Sequence, residues 1–522
     1  MNPKASSTVQ KPRRGRGIAW KALLSLGIVL ALAFIGSFKA GYHVDEMLTF
    51  GLSNYANDGS HTPDIEDGVV YTGQQLWQEY TMVSDSTRFD YANVVNNQVH
   101  DVHPPLYYFL VHTVFSLFPN TYSKWYAMAV NIALAVVVFW QMVWLFQFFT
   151  KRKKLSVLFA LLFIFTMGFV NSVVFFRMYV LLTVWTNALV MLFCKYKPED
   201  VSWKYYALLV LILTGGTMTQ YYFLVFAFFV CVVYAIRVTL EKNWKKLGLS
   251  CLSVALSVGI STLLFPAMWK HIFSGYRGRE AFENLSSDGF LESLKAYLDI
   301  LNLQVFGNLF VILFFIAIIL CFVGRKNINR KNVKQESWKY LQLVVPTICY
   351  IVIIAQISPY KVDRYVMNIM GILYLLVFVL LIHLVSCYSR QAMAGILAAA
   401  FLVLIGSYQR GVPYLYVSEK GNVMTIENID NDVTCLYLLD GNWKMLPNYT
   451  EIENLDKIVF LSNDNLELLD DDAYKSYDKL LLYVTSTLEA DQLINQILEQ
   501  NPEMSSSTEL FTQGYATAYY LE

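Results

Sequence analysis

Long apolar runs separated by short polar segments make up most of the first 409 residues. A helix needs about 20 apolar residues to cross a hydrocarbon core about 30 Å thick, and these runs approach or reach that length. The pattern predicts an all-α polytopic membrane protein with about eleven transmembrane helices. The predicted spans cover residues 18–38, 125–149, 155–176, 179–194, 203–218, 221–236, 247–269, 305–323, 338–357, 366–385 and 392–408.

Lysine and arginine cluster in alternate loops between these spans. Because basic loops resist translocation, the alternation places the N-terminus inside and the residues after 409 outside. The first outer loop, residues 41–123, carries ten carboxylates against a single basic residue, Arg88. The inner clusters lie at residues 11–16, 151–154, 195–197, 237–246, 325–334 and 390.

The apolar run Pro105–Phe118 is too short to count as a span. Counting it would place the basic cluster at residues 151–154 on the outer side. We therefore predict a helix that lies on, or dips into, the outer interface.

Composition supports the membrane class and separates the end of the chain from the rest. Of the 522 residues, 56% are hydrophobic and only 15% are charged, which excludes an ordinary soluble domain. Residues 410–522, called the tail below, hold 20 of the 40 acidic residues but 6 of the 40 basic ones. The sequence thus predicts a transmembrane domain at 1–409 and an acidic extracytoplasmic domain at 410–522.

The tail has the pattern of a small α/β unit. It lacks a Gly-rich phosphate loop, so we expect it to pack or to dock an acceptor rather than to carry chemistry. Apolar β-type runs alternate with helical stretches such as Glu489–Gln500. These runs are Val433–Leu439, Ile458–Leu461, Leu480–Thr485 and Ala518–Leu521.

Two acidic clusters in the first outer loop are candidates for chemistry. Asp45 and Glu46 follow the first span, where a carboxylate is often simply solvated. Asp101 and His103 stand before a Pro-Pro pair that suits the first turn of a helix. That turn explains the prolines but not the His-Asp-Val-His cluster.

Three cations lie at predicted outer span ends, against the topological bias. They are Arg177, Lys361 and Arg364. An arginine at a span end can simply snorkel to the interface, and Asp363 offers a partner for Lys361 or Arg364. An anionic phosphate partner would equally explain them. The hydroxyls and rings of Thr219-Gln220-Tyr221-Tyr222, at another outer end, could line a sugar site.

Together these motifs resemble those of a known enzyme family. They are the Asp-Glu pair, Asp-x-His-Pro-Pro-Leu-Tyr-Tyr, Arg-Met-Tyr, Thr-Gln-Tyr-Tyr and the late Arg-Tyr, over about residues 18–385. The chain resembles the membrane-embedded GT-C glycosyltransferases of the protein mannosyltransferase and lipid A aminoarabinose transferase type (glycosyltransferase family 39-like). Members commonly show a carboxylate just before the arginine, where this chain has Phe176.

The resemblance implies a GT-C fold and an inverting enzyme. Such an enzyme moves a sugar from a polyprenyl-phosphate donor to a glycan, lipid or protein acceptor on the outer face of the cell membrane. Asp45 would be the general base, and Glu46 its supporting or pore-facing neighbour. Asp101 and His103 would orient the site, or hold a divalent metal ion with Asp45; no other cofactor is implied.

The remaining predicted residues would bind substrate. A phosphate held by arginine and lysine is chemically reasonable independently of the resemblance. Arg177, Lys361 and Arg364 would hold the carrier phosphate. The other predicted substrate-binding residues are Tyr179, Tyr221, Tyr222 and Tyr365.

Two other classes fit less well. A transporter or lipid flippase would place charges near the bilayer middle in repeated halves, and no internal repeat is visible. A non-catalytic scaffold would explain the tail but not the His-Asp-Val-His cluster. Nothing in the sequence indicates a nucleic-acid partner. A decisive structural criterion is whether Asp45 and Asp101 meet Arg177 and Lys361 in one cavity.

Overall fold

The computed structural model describes residues 14–57, 59, 61–195, 202–286, 288–324, 330–385, 390–430 and 432–522. Helices dominate this part of the chain up to residue 409. They are α1 (Arg14–Ser37), α2 (Val44–Asn54), α3 (Gly73–Thr81), α4 (Tyr91–His100), α5 (Leu106–Leu117), α6 (Lys124–Thr150), α7 (Lys153–Ile164), α8 (Met167–Val174), α9 (Tyr179–Cys194), α10 (Trp203–Thr217), α11 (Tyr222–Leu240), α12 (Trp244–Leu264), α13 (Met268–Phe273), α14 (Tyr276–Asn284), α15 (Phe290–Phe306), α16 (Phe310–Gly324), α17 (Arg330–Ile357), α18 (Met370–Val385) and α19 (Arg390–Ser407).

Six helices of the described chain are long and apolar enough to cross a membrane. Two bent helix pairs raise the number to eight if each pair is one span. A helical protein with several spans is therefore confirmed, whereas the number of about eleven stays a prediction. The six helices are Ile18–Ser37, Lys124–Thr150, Tyr222–Leu240, Trp244–Leu264, Trp338–Ile357 and Met367–Val385.

The first bend lies inside the predicted span 155–176, and the second lies near the start of the predicted span 305–323. Helices α7 and α8 meet at 61°, and α15 and α16 meet at 78°. The second bend falls at Gly307, whose φ of 57° lies in the left-handed region that glycine adopts freely. A Cβ at Gly307 would lie 2.6 Å from the carbonyl oxygen of Val403, so the bend also packs closely against α19.

Short helices fill the 41–123 segment. Helix α5 spans the run Pro105–Phe118 and confirms the predicted helix. The backbone N–H of Leu106, at its start, donates to the carbonyl oxygen of Met218 over 3.0 Å. Tyr107 and Tyr108 are fully buried. The Pro-Pro turn before α5 is thus fixed against the end of α10.

The tail forms a sheet with helices α20 (Lys420–Glu427), α21 (Tyr449–Ile452) and α22 (Ala490–Gln500). The four predicted strands are present, and two further strands were not predicted. The strand order is β1-β3-β2-β4-β6-β5. Strands β3, β2 and β4 are parallel, and the other pairs are antiparallel. The strands are β1 (Val70–Tyr71), β2 (Thr434–Leu439), β3 (Ile458–Ser462), β4 (Leu480–Thr485), β5 (Ser507–Gln513) and β6 (Ala516–Leu521).

The 41–123 segment and the tail share this sheet and a common core. Strand β1 comes from the 41–123 segment and pairs with β3. The Trp77 and Tyr449 rings pack edge to face at 4.7 Å, and Tyr80 stacks on Tyr449 at 5.8 Å. Aromatic pairs of this geometry stabilise beyond their buried area. The tail is therefore held to the 41–123 segment by backbone pairing and aromatic packing.

Gly73, the first residue of α3, lies where these two parts come closest. Its N–H donates to the carbonyl oxygen of Leu455 over 2.8 Å. An added Cβ would lie 1.8 Å from the carbonyl oxygen of Ile452. We therefore expect Gly73→Ala to lower the stability by about 1–3 kcal/mol, because backbone must move to relieve the clash. Thermal melting of the purified full-length protein measures the loss.

Gly421, in α20, provides a matched control. Nothing lies within 4 Å of a Cβ added there. Alanine is favoured over glycine inside a helix, so Gly421→Ala should melt at or above the wild-type temperature. A Gly73→Ala variant that melts like wild type would contradict the close approach.

Candidate active site

A cavity of about 1040 Å³ lies where the helical part meets the 41–123 segment and the tail. This volume is at the upper end of the range of about 300–1,000 Å³ that is usual for small-molecule sites. Nine of the eleven predicted site residues line it, although they are spread over 320 positions of the chain. They are Asp45, Asp101, His103, Arg177, Tyr179, Tyr221, Tyr222, Arg364 and Tyr365.

Asp45 lies in the first turn of α2, where the helix dipole favours a negative charge. The guanidinium group of Arg364 donates to its Oδ2. Burial alone would raise the pKa of the Asp45 carboxyl, but the positive charges of Arg364 and Arg177 outweigh it and hold the pKa well below its ordinary value. Asp45 is therefore a carboxylate at neutral pH.

Arg177 lies in the break between α8 and α9 and is 2% exposed. Its Nη1 donates to the carbonyl oxygen of Asp45 and to Oγ1 of Thr49, both over 3.1 Å. Its Nη2 lies 3.2 Å from Nε2 of His103. Its Nε is buried and has no hydrogen-bond partner within the described residues. Arg177 therefore joins the two acidic motifs and keeps one donor unused.

Asp101 and His103 form a hydrogen-bonded pair behind Arg177. Nδ1 of His103 lies 2.7 Å from Oδ2 of Asp101. Burial lowers the pKa of His103, with the nearby charge of Arg177 acting in the same direction and that of Asp101 opposing it. A neutral imidazole with its proton on Nδ1 donates to Asp101 and accepts from Arg177 through Nε2, which accounts for both contacts of the ring.

The pKa of the Asp101 carboxyl also reflects this pair. Burial alone would raise the pKa of this carboxyl. The interactions with His103 and Arg177 outweigh the effect of burial and lower the pKa to about 2. Asp101 is thus ionised and orients His103, much as carboxylates fix the tautomer of histidines elsewhere.

Glu46 does not line the cavity. It is fully buried, and its carboxylate forms an ion pair with Lys39 at 2.9 Å. It also accepts from the backbone N–H groups of His43 and Phe176, each over 2.9 Å. Glu46 therefore ties the start of α2 to the break that carries Arg177.

Lys361 lies apart from the cavity. Its side chain is exposed and lines a separate small recess with Asp288, Ser358 and neighbouring residues. Arg364, three positions later, points to the cavity instead. Of the four residues chosen to distinguish an enzyme from a transporter, Asp45, Asp101 and Arg177 share one cavity and Lys361 does not.

A divalent metal ion at Asp45, Asp101 and His103 stays a prediction. The arrangement of these three side chains is poorly suited to binding one. Within the described chain, no three His, Cys, Asp or Glu side chains are grouped to hold a metal ion. Asp45 is engaged by Arg364, and His103 Nε2 faces Arg177. A cation placed between them would be repelled by both guanidinium groups.

Several residues that line the cavity were not predicted from the sequence. Arg277 lines the cavity and pairs with Glu280 at 2.7 Å. Arg277 lies between the predicted spans 247–269 and 305–323, in a loop that the topology places outside. Like Arg364, it is a cation on the side where cations are disfavoured, and it could have been noticed for that reason. Trp443 and Tyr515 come from the tail, which the sequence predicted to pack or to dock an acceptor but in which it singled out no cavity residue.

Comparison of the sequence with protein-family models gives no match. Comparison with curated protein sequences gives none either. The fold, however, is similar to solved structures. ArnT from Cupriavidus metallidurans bound to undecaprenyl phosphate aligns with a TM-score of 0.54 and 9% identity, over 96% of this chain and 98% of that one. The same protein in the apo state gives a TM-score of 0.54 and 10% identity, over 97% and 98%.

A more distant likeness involves the archaeal oligosaccharyltransferase AglB from Archaeoglobus fulgidus, in complex with an inhibitory peptide and a dolichol-phosphate. It aligns with a TM-score of 0.44 and 9% identity, over 93% of this chain and 72% of that one. A score this low supports no argument. The two ArnT structures show that the chain shares their fold over nearly its whole length, in agreement with the fold that its motifs predicted.

Proposed function

We propose that the protein is an inverting glycosyltransferase that moves a sugar from a polyprenyl-phosphate carrier to an acceptor hydroxyl. The observation that carries the proposal is the meeting of the Asp45 carboxylate with Arg177 and Arg364 in one cavity. Such an enzyme needs a base for the hydroxyl proton and cations for the departing phosphate. A solved structure of the same fold, ArnT, has undecaprenyl phosphate bound.

Arg177 and Arg364 are suited to bind the carrier phosphate. The Nε donor of Arg177 is unused within the described chain, and Arg364 meets a single carboxylate. A phosphate beside them would receive charge-assisted hydrogen bonds from both guanidinium groups. The same contacts would stabilise the charge that the phosphate gains as it departs.

The apolar part of the cavity wall is suited to the lipid. Polyprenyl chains are hydrocarbon, so they gain free energy by leaving water. Several apolar side chains lie on the same cavity wall as Tyr222 and Tyr365. They are Leu224, Val225, Phe282, Leu285, Ile353 and Ile357.

The transfer is a single displacement. The acceptor oxygen attacks the anomeric carbon as the bond from that carbon to the phosphate oxygen breaks, so the configuration inverts. The bonding electron pair leaves with the phosphate, and Asp45 takes the acceptor proton. One base is enough, which distinguishes this chemistry from the paired carboxylates of glycosidases.

In this mechanism the basicity of Asp45 depends on whether Arg364 contacts it. While Arg364 contacts Asp45, the low pKa of that carboxyl makes it a weak base. A donor phosphate competes for the same guanidinium group. When Arg364 turns to the phosphate, Asp45 loses its strongest charge partner and its pKa rises. The base is thus activated when the donor is bound.

Asp101 and His103 act in this scheme by positioning. Neither is placed to accept the acceptor proton, because His103 is held between Asp101 and Arg177. Their part is to fix Arg177, and through it the backbone of Asp45.

The proposed orientation places the N-terminus inside and the tail outside. In a cysteine-free variant, Ser506→Cys on the exposed tail should react with a membrane-impermeant maleimide on intact cells. Lys154→Cys, exposed at the start of α7, should react only after permeabilisation. The opposite pattern of labelling would reverse the orientation.

The donor and the base can be tested in one assay. Purified protein should transfer sugar from a polyprenyl-phosphate donor and not from a nucleotide sugar. Asp45→Asn keeps the shape but removes the base, so transfer should slow by roughly 10²–10⁴-fold while donor binding persists. Asp64→Asn, an exposed carboxylate of the same segment outside the cavity, should transfer at the wild-type rate. Rapid transfer by Asp45→Asn, or use of a nucleotide sugar by wild type, would refute the proposal.

The two arginines should be needed for use of the donor. Each charge-assisted contact contributes about 1.5–3 kcal/mol, so Arg364→Ala, and Arg177→Ala with Arg364→Ala, should each lower kcat/KM for the donor by tenfold or more. The control is Arg279→Ala, an exposed cation of α14 outside the cavity. Melting curves check the fold. Wild-type turnover by a folded double variant would remove both arginines from the site.

A further inference from the structure

The tail supplies two aromatic side chains, Trp443 and Tyr515, to the cavity that contains Asp45. Trp443 follows β2, and Tyr515 lies in the turn between β5 and β6. Since β2 and β4 run parallel and β6 runs antiparallel to β4, both turns lie at the same edge of the sheet. That edge faces the cavity.

The two rings are held on firmly anchored turns. Their centroids are 4.7 Å apart, with the planes at 73°. Next to Trp443, Lys444 forms an ion pair with Asp440 at 2.6 Å, and Met445 is fully buried. The carbonyl oxygen of Tyr515 accepts from the N–H of Ser486 over 2.8 Å. Even so, Trp443 is 40% exposed.

Exposed apolar side chains are common on protein surfaces and usually need no explanation. Trp443 differs because it borders a cavity, has an aromatic partner and stands on a fixed turn. A rigid aromatic pair offers a large contact area at a low cost in conformational entropy.

Tyr515 lies close enough to the site to be affected by its charges. Burial raises the pKa of the Tyr515 phenol, and the negative charge of Asp45 raises it further. The apolar wall suited to the lipid is built by helices α11, α14 and α17, whereas Trp443 and Tyr515 belong to the tail. A molecule that contacts them therefore touches a part of the cavity wall that is built by other elements than the apolar part.

We infer that Trp443 and Tyr515 bind a pyranose ring of the acceptor, so that the acceptor is a carbohydrate or carries one. This inference rests on the proposed function. The C–H face of a pyranose is apolar and packs on an aromatic face, while its hydroxyls stay free at the rim. A ring held there would present a hydroxyl towards Asp45.

Binding can be measured without any transfer. Full-length protein in lipid nanodiscs is mixed with methyl pyranosides of glucose, mannose, galactose, N-acetylglucosamine and rhamnose, and contact is followed by saturation-transfer NMR. Wild type should bind at least one of them, and Trp443→Ala should weaken that binding by about tenfold. Trp443→Phe keeps a ring and should restore part of it.

Trp203→Ala is the control. Trp203 is 73% exposed at the start of α10 and does not line the cavity, so its loss should leave binding unchanged. Failure of wild type to bind any of the five glycosides, or equal binding by Trp443→Ala, would overturn the inference.

Kinetics then distinguishes the acceptor from the donor sugar. With the bound glycoside as acceptor, Trp443→Ala should raise the acceptor KM about tenfold and leave the donor KM unchanged. A raised donor KM instead would mean that the rings contact the transferred sugar, and the acceptor assignment would fall. Absence of transfer by wild type would count against the proposed function alone, because glycoside binding is measured separately.

Discussion

The buried carboxylate of Glu46 sets the geometry of this protein's site. An ionised carboxylate removed from water is stable only with partners, and Glu46 has three: Lys39, the N–H of His43 and the N–H of Phe176. Lys39 also donates to the carbonyl oxygen of Tyr414 over 2.7 Å. One buried ion pair therefore joins the end of α1, the start of α2, the α8–α9 break and the beginning of the tail.

This cross-link decides where the reacting groups stand. Asp45 is the neighbour of Glu46 in the chain, and Arg177 is the neighbour of Phe176. Holding Glu46 against Phe176 also keeps Asp45 near Arg177, so the proposed base and the cation proposed to bind phosphate share one anchor. Removing only one partner of a buried ion pair leaves an uncompensated charge, which is strongly destabilising.

The sequence predicted the parts of this arrangement that depend on composition. Spans are visible as apolar runs, and Arg177 and Arg364 stand out because cations are disfavoured at their positions. The direction in which each side chain points could not be predicted from the sequence. Lys361 and Arg364 share one short turn, yet their side chains lie on different surfaces, because the local backbone and the packing around it decide which one faces the cavity.

Long-range pairing was equally hidden from the sequence. Nothing in a two-residue strand such as β1 distinguishes it from loop, and its partner lies almost 400 positions away. The role of Trp443 depends on that docking, so composition alone could not assign the tail to the cavity wall. The bend at Gly307 was missed for a related reason, since a lone glycine in an apolar run is common in transmembrane helices.

Strand β1 also has a consequence for biosynthesis. Val70 pairs with Val459 and Tyr71 with Ile458, so each residue of β1 leaves the ribosome almost 390 positions before its partner in β3. At about 5–20 residues per second, this separation is a wait of roughly 20–80 s. During that time the 41–123 segment has no sheet to join, and the aromatic faces of Trp77 and Tyr80 have no Tyr449 to cover them. The cavity wall is complete only after Trp443 and Tyr515 have been synthesised, so a chain interrupted just after α19 would contain the six described spans and still lack this part of the wall.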